Sequence, residues 1–171
     1  MKNLLTQIVR AILLIFLQVF ILSQIEIGWG IHIMIYPIFV LLLPFDLKPI
    51  FVLLISFLFG MAIDSMLNTG GLHTSSLLTM SLFRFGIFKL FSPRDGYEGF
   101  HSGTIYEMGS GWFLKTFILL LVVHHVWFFV FEQFTFNDPL YLAQKIVLSL
   151  PISYLFSILY QFIFVKRIAT R

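Results

Sequence analysis

The chain has 171 residues, of which 59% are hydrophobic, 18% aromatic and only 11% charged, and its mean hydropathy is +0.97. Soluble folds carry about 25% charged residues to solvate their outside, so this composition excludes a water-soluble domain and a solvated disordered chain alike. The net charge is only +3 and cysteine is absent, which removes disulfides, thiolate metal sites and cysteine nucleophiles.

A helix that crosses ~30 Å of hydrocarbon needs roughly 20 mostly apolar residues. Six stretches qualify, so the expected fold is an all-α integral membrane protein with six transmembrane helices in one polytopic domain, residues 1–171. The first span is 4–25. It follows Lys2 as a signal peptide would, but the apolar run is too long for one and no small-x-small cleavage site comes after it. The second, 30–45, is short, with Pro37 inside it and Pro44 at its end, which predicts a kink whose freed carbonyls are covered by neighbouring helices.

Spans three and four, 49–67 and 72–91, are joined by the tight turn Asn68, Thr69, Gly70 and Gly71. The loop 92–110 that follows has the glycines, polar groups and aromatics of a structured connector. It contains no GxxxxGK[ST] and follows no strand, so a phosphate cradle is not expected. Spans five and six are 111–136 and 141–165.

Basic residues lie singly or in short clusters between apolar runs, the pattern of a membrane protein and not of a nucleic-acid binder. Lys2, Arg10, Lys48, Lys89, Arg94, Lys115, Lys166, Arg167 and Arg171 fall on the N-terminal side of the six spans, and only Lys145 lies near the other. The positive-inside rule therefore predicts cytoplasmic termini, with Glu26 and Asp138 outside and Trp29 and Trp112 as interfacial anchors.

Ionisable groups at membrane depth cost about 2.5–3.5 kcal/mol each, so they face protein or a water cavity. Asp64 lies near the outer end of span three, and Ser56, Gly60 and Asp64 recur every four residues on one helix stripe. Small residues on that stripe let another helix approach closely, with Asp64 pointing into the contact. The glycine turn brings His73 and Thr74 to the same depth, so Asp64 is expected to bond His73 or a turn amide. Two readings stay open, a cap for the hairpin or a binding role; two ligands do not make a metal site.

Arg84 stands about 12 residues into span four, ~18 Å below its outer end, beyond easy reach of Asp64. It either snorkels toward the cytoplasmic interface beside Lys89 or pairs with an acidic group of a partner. Thr74, Ser75, Ser76, Thr79 and Ser81 suit interhelical hydrogen bonds more than chemistry. The adjacent His124 and His125 point about 100° apart and cannot both face one ligand. Glu132 lies ~10 Å along the axis from His125, too far for a direct bond, so packing or partner contact is expected before a proton relay. No GxSxG, no HExxH and no pair of carboxylates within one helical turn occurs, so no enzyme is expected.

The stretch from Gly60 through Asp64 to Gly71, Leu72 and His73, followed by Arg84 and the SPRDGYE loop, resembles the bacterial rod shape-determining family MreD. The LHTSS opening of span four and the pattern of His124, His125 and Glu132 resemble its Bacteroidetes-type members. The resemblance extends over essentially the whole chain in length, span count and orientation. It implies a non-enzymatic scaffold subunit of the elongasome, or Rod complex, in the cytoplasmic membrane. Such a subunit binds the transmembrane helix of MreC and works beside RodA, its class B penicillin-binding protein and the filament protein MreB to help control lateral peptidoglycan synthesis and cell shape. It implies no cofactor, no metal and no nucleic acid, with Gly60, Asp64, Gly71, His73, Arg84, His124, His125 and Glu132 as partner-binding or intramembrane polar anchors. It also implies a bundle like the six-helix S-components of vitamin transporters. The alternative function is accordingly an S-component-like small-molecule binding subunit, although span one offers Ala11 without a small-xxx-small repeat and the outer loops are short.

Overall fold

The computed structural model describes residues 2–25, 27–134 and 138–165; Glu26, Phe136, Lys166, Arg167 and Arg171, to which the sequence assigns sides or span ends, lie outside them. Helix α1 (Lys2–Phe16) runs on through a π-helical turn, Leu17–Ile21, and a short tighter turn, Leu22–Gln24. It is followed by α2 (Ile38–Leu42), α3 (Pro49–Leu67), α4 (Leu72–Leu90), α5 (Ile105–Met108), α6 (Ser110–Gln133) and α7 (Pro139–Phe164). No strand occurs among the described residues.

Among the described residues, four stretches are long and apolar enough to cross a membrane: Leu4–Gln24, Pro49–Leu67, Ser110–Gln133 and Pro139–Phe164. The other two expected spans do not meet that standard, for two different reasons. Helix α4 matches α3 in length at 19 residues, but its run of hydroxyls makes it more polar, and it is packed between α3 and α6.

The second stretch is not a kinked helix. Gly28, Trp29 and Gly30 all have positive φ, residues 31–35 are neither helix nor strand, and only Ile38–Leu42 is helical. Pro37 has no N–H and disfavours helix at Tyr36, while Pro44 holds Leu43 extended at ψ 143°. Five helical residues span only ~7.5 Å. This segment nevertheless lies at the centre of the molecule: Met34, Tyr36 and every residue of 38–43 are almost fully buried. Phe113, Phe117, Leu120, Leu121 and Phe129 of α6 pack around it.

An irregular segment inside a bundle must find partners for its backbone, since no water is at hand. Side chains supply them. The π-turn brings Gln18 inward, where its Oε1 accepts from the Ile35 amide at 3.0 Å and its Nε2 donates to the Ile33 carbonyl at 3.0 Å. From α7, Ser149 Oγ accepts from the His32 amide at 3.0 Å and Ser153 Oγ from the Met34 amide at 2.9 Å. Ser149, Ser153 and Ser157 form a fully buried stripe of α7.

The α3–α4 hairpin turns through left-handed backbone at Asn68, Gly70 and Gly71. Asn tolerates that region better than other side chains, and Gly71, at φ 96°, adopts it without steric cost. In the loop 92–110, Thr104 caps α5 by accepting from the Glu107 amide, while the Glu107 carboxylate reaches back to the His101 and Ser102 amides.

Candidate functional site

The polar side chains singled out by sequence fall into three groups, each built from contacts within the chain.

The first group closes the α3–α4 hairpin. Gly71 offers α4 no side-chain cap, and Asp64 takes over that role from the neighbouring helix. Its Oδ1 accepts from the Thr69 hydroxyl at 2.5 Å and the His73 amide at 3.1 Å; its Oδ2 accepts from the Thr74 amide at 2.8 Å and the Thr74 hydroxyl at 2.5 Å. The expected bond to His73 is therefore present, through its amide. A carboxylate over the first amides of a helix also meets the positive end of its dipole. The stripe below does what its spacing predicts. Gly60 lies against the Thr74 backbone, and the Ser81 hydroxyl donates to Ser56 Oγ at 2.6 Å.

The second group surrounds Tyr36, which the sequence reading does not single out. Its hydroxyl lies 2.6 Å from His73 Nδ1 and 2.7 Å from His124 Nε2, so one phenol joins α4 to α6. His125 turns away, as the 100° spacing requires. Its Nδ1 lies 3.0 Å from the Leu121 carbonyl, which can only accept, so Nδ1 carries the proton; in the neutral ring Nε2 then accepts from the Ser153 hydroxyl at 3.1 Å. The two histidines thus serve different neighbours. The signals for the missed partners were a tyrosine in an apolar run and the four-residue spacing of the α7 serines.

The third group contains ionic contacts. Glu132 accepts from Lys145 Nζ across the α6–α7 hairpin, and His32 Nε2 lies 3.6 Å from its other oxygen. Gly30 makes room for this lysine, because a Cβ there would stand 2.8 Å from Lys145 Cγ. Arg84 does not snorkel to the surface. It is 1% exposed, donates from Nη2 to the Leu43 carbonyl at 2.7 Å and lies over the Phe88 ring at 4.4 Å. Arg10 and Gln7 both donate to the Leu42 carbonyl at 3.1 Å. The two arginines therefore pair the carbonyls of Leu42 and Leu43 that are left free where α2 ends, just before Pro44.

Two hollows adjoin these groups. A cavity of about 520 Å³ lies beside the irregular segment 31–35, between Gln18, His32, Leu72, His73, Phe128 and Glu132. A groove of about 400 Å³ lies on the α3–α4 hairpin, lined by Ser65, Gly70, Gly71 and Ser75 together with Phe57, Met61 and Leu78, and by Asp64 and Thr74. Three or more metal-ligating side chains do not converge among the described residues.

No family model matches the chain, and no curated protein or solved structure is significantly similar to it.

Proposed function

We propose that the chain is a non-enzymatic membrane scaffold, an MreD-like subunit of a bacterial cell-wall elongation complex that takes the transmembrane helix of MreC against its α3–α4 hairpin. The observation that carries this reading is the groove on that hairpin, lined by Ser65, Gly70, Gly71 and Ser75. Helices associate in lipid through close packing over small residues, because apolar surface alone gives no preference for protein over lipid tails. Asp64, His73, Arg84, His124 and Glu132 have their partners inside the chain. In this reading they hold the hairpin in shape, and the groove meets the partner. The excess of basic residues on one side supports cytoplasmic termini in the bacterial cytoplasmic membrane.

The test is affinity purification of the tagged chain from native membranes in mild detergent. MreC, accompanied by RodA or its penicillin-binding partner, is the expected catch. Ser65→Leu, which fills the groove at an exposed position, is expected to cut that recovery severalfold while the protein still inserts. Equal recovery with both forms overturns the docking face, and recovery of a transporter's ATPases and coupling subunit overturns the scaffold.

A further inference from the structure

We propose that the 520 Å³ cavity beside the irregular segment 31–35 is a binding site for a small neutral amphiphile that presents an acceptor oxygen, a carbonyl or an ether, to His73 Nε2. The inference does not depend on the scaffold reading.

The volume falls within the 300–1,000 Å³ typical of small-molecule sites. Its wall is unusual for a membrane bundle. Residues 31–34 line it as non-helical backbone, which at membrane depth is tolerated where it is buried or lines a cavity. Leu22, Ile33, Leu72 and Phe128 give the cavity an apolar floor, and Gln18, His32, His73 and Glu132 give it polar edges.

The hydrogen-bond chain behind the wall decides which polar groups a ligand must bring. His124 Nδ1 is buried without a partner. Were Tyr36 to donate to His124 Nε2, the proton of the neutral His124 ring would sit on Nδ1 as a buried, unpaired N–H, a rarer and costlier defect than an unused acceptor lone pair. His124 Nε2 therefore donates to the Tyr36 oxygen, and Tyr36 donates to His73 Nδ1. The proton of the neutral His73 ring is left on Nε2, which bonds no described residue although the side chain is 4% exposed and lines the cavity. An unpaired donor of a residue that lines a cavity selects an acceptor. The site selects a neutral one, because the Glu132 charge is already matched by Lys145.

The experiment measures thermal unfolding of the full-length protein in detergent with 2-decanone as acceptor probe and decane as its apolar control. Wild type is expected to be stabilised by the ketone more than by the alkane. His73→Phe is expected to weaken ketone binding about tenfold, the equivalent of one buried hydrogen bond, and to erase the difference between the probes. Should His73→Phe not fold, Ile31→Trp, which fills the cavity from its partly exposed rim and leaves the Tyr36 contacts in place, is expected to abolish the ketone effect. Equal stabilisation by both probes in wild type, or undiminished ketone binding in a folded variant, overturns the proposal. Native mass spectrometry then identifies the source: a retained neutral species extracted into chloroform is membrane-derived, and one left in the aqueous phase enters from outside. No retained species in wild type together with no ketone effect also overturns it.

Discussion

Thr74 donates to Asp64 twice, from its amide at 2.8 Å and its hydroxyl at 2.5 Å, and its backbone sits directly against Gly60 of the same α3 stripe. One residue of α4 is thus held by charge at one point and by close approach at another, four residues apart along α3. The two contacts can be separated by substitution.

Asp64→Asn keeps the volume but replaces one acceptor oxygen by an NH2 group facing donors. Whichever oxygen is replaced, one backbone amide at the start of α4 loses its acceptor, and the threonine hydroxyl beside it must turn from donor to acceptor. Bonds to a charged group contribute about 1.5–3 kcal/mol each, so an overall loss of about 2–4 kcal/mol is expected. Thermal unfolding in detergent measures it. Asp64→Ala is expected to go further and to reduce recovery of a partner that docks on the hairpin, while insertion persists; equal recovery would limit Asp64 to folding alone.

Gly60→Ala tests the close approach. A Cβ at this position would stand 2.5 Å from Thr74 Cα, which backbone must relieve by separating the helices. Overpacking of this kind costs about 1–3 kcal/mol. Gly86, on the same hairpin, has nothing within 4 Å of its Cβ position, so Gly86→Ala is the control. It is expected to be neutral or slightly stabilising through helix propensity. Unfolding midpoints that fall for Gly60→Ala and hold for Gly86→Ala would establish that packing, and not propensity, sets the effect.

How much of the fold and of the polar groups is legible in the sequence follows from how local each interaction is. Asp64, Thr69, His73 and Thr74 lie within eleven consecutive residues, and four-residue spacing plus a glycine turn suffices to place them together. The irregular segment is a different case. Pro37 and Pro44 announce irregular backbone, but the groups that satisfy its amides are Ser149 and Ser153, 117 and 119 residues away. Periodicity within one element cannot report such partners. Arg84 is conspicuous as a charge in an apolar span, yet its partners are the backbone carbonyls of Leu43 and Pro44, and carbonyls leave no mark in a sequence. Tyr36 is inconspicuous among apolar neighbours because a membrane protein has many aromatics, and only the position of its hydroxyl distinguishes it.

The coupling through Tyr36 is measurable as a double-mutant cycle. Tyr36→Phe removes the bonds to both His73 and His124 and leaves both rings without that partner in the core. A loss of about 2–3 kcal/mol is expected, as two net hydrogen bonds plus the desolvation of an unpaired group. His124→Phe alone breaks one of the two. If the hydroxyl is the common link, the double variant loses less than the sum of the singles, with a coupling energy of about 1–2 kcal/mol. Additive losses would mean that the ring packing against Phe59 and Phe128, and not the hydroxyl, joins α4 to α6.

Tyr97 gives the loop 92–110 a pH dependence with a definite sign. Its hydroxyl donates to the Phe88 carbonyl at 2.6 Å and its ring stacks on Phe45 with centroids 4.5 Å apart. Burial raises its pKa above the ordinary tyrosine value. The folded protein therefore keeps this proton at a pH where the unfolded chain releases it. The stabilising contribution is fully present below about pH 10, the unfolded value, and is lost as pH rises from there through the folded value. Wild type is expected to be more stable than Tyr97→Phe near neutrality and to lose that advantage above about pH 10. Unfolding midpoints measured for both proteins across that range decide it, because the other tyrosines are common to the pair. A constant difference between them would show that the hydroxyl does not anchor the loop to the end of α4.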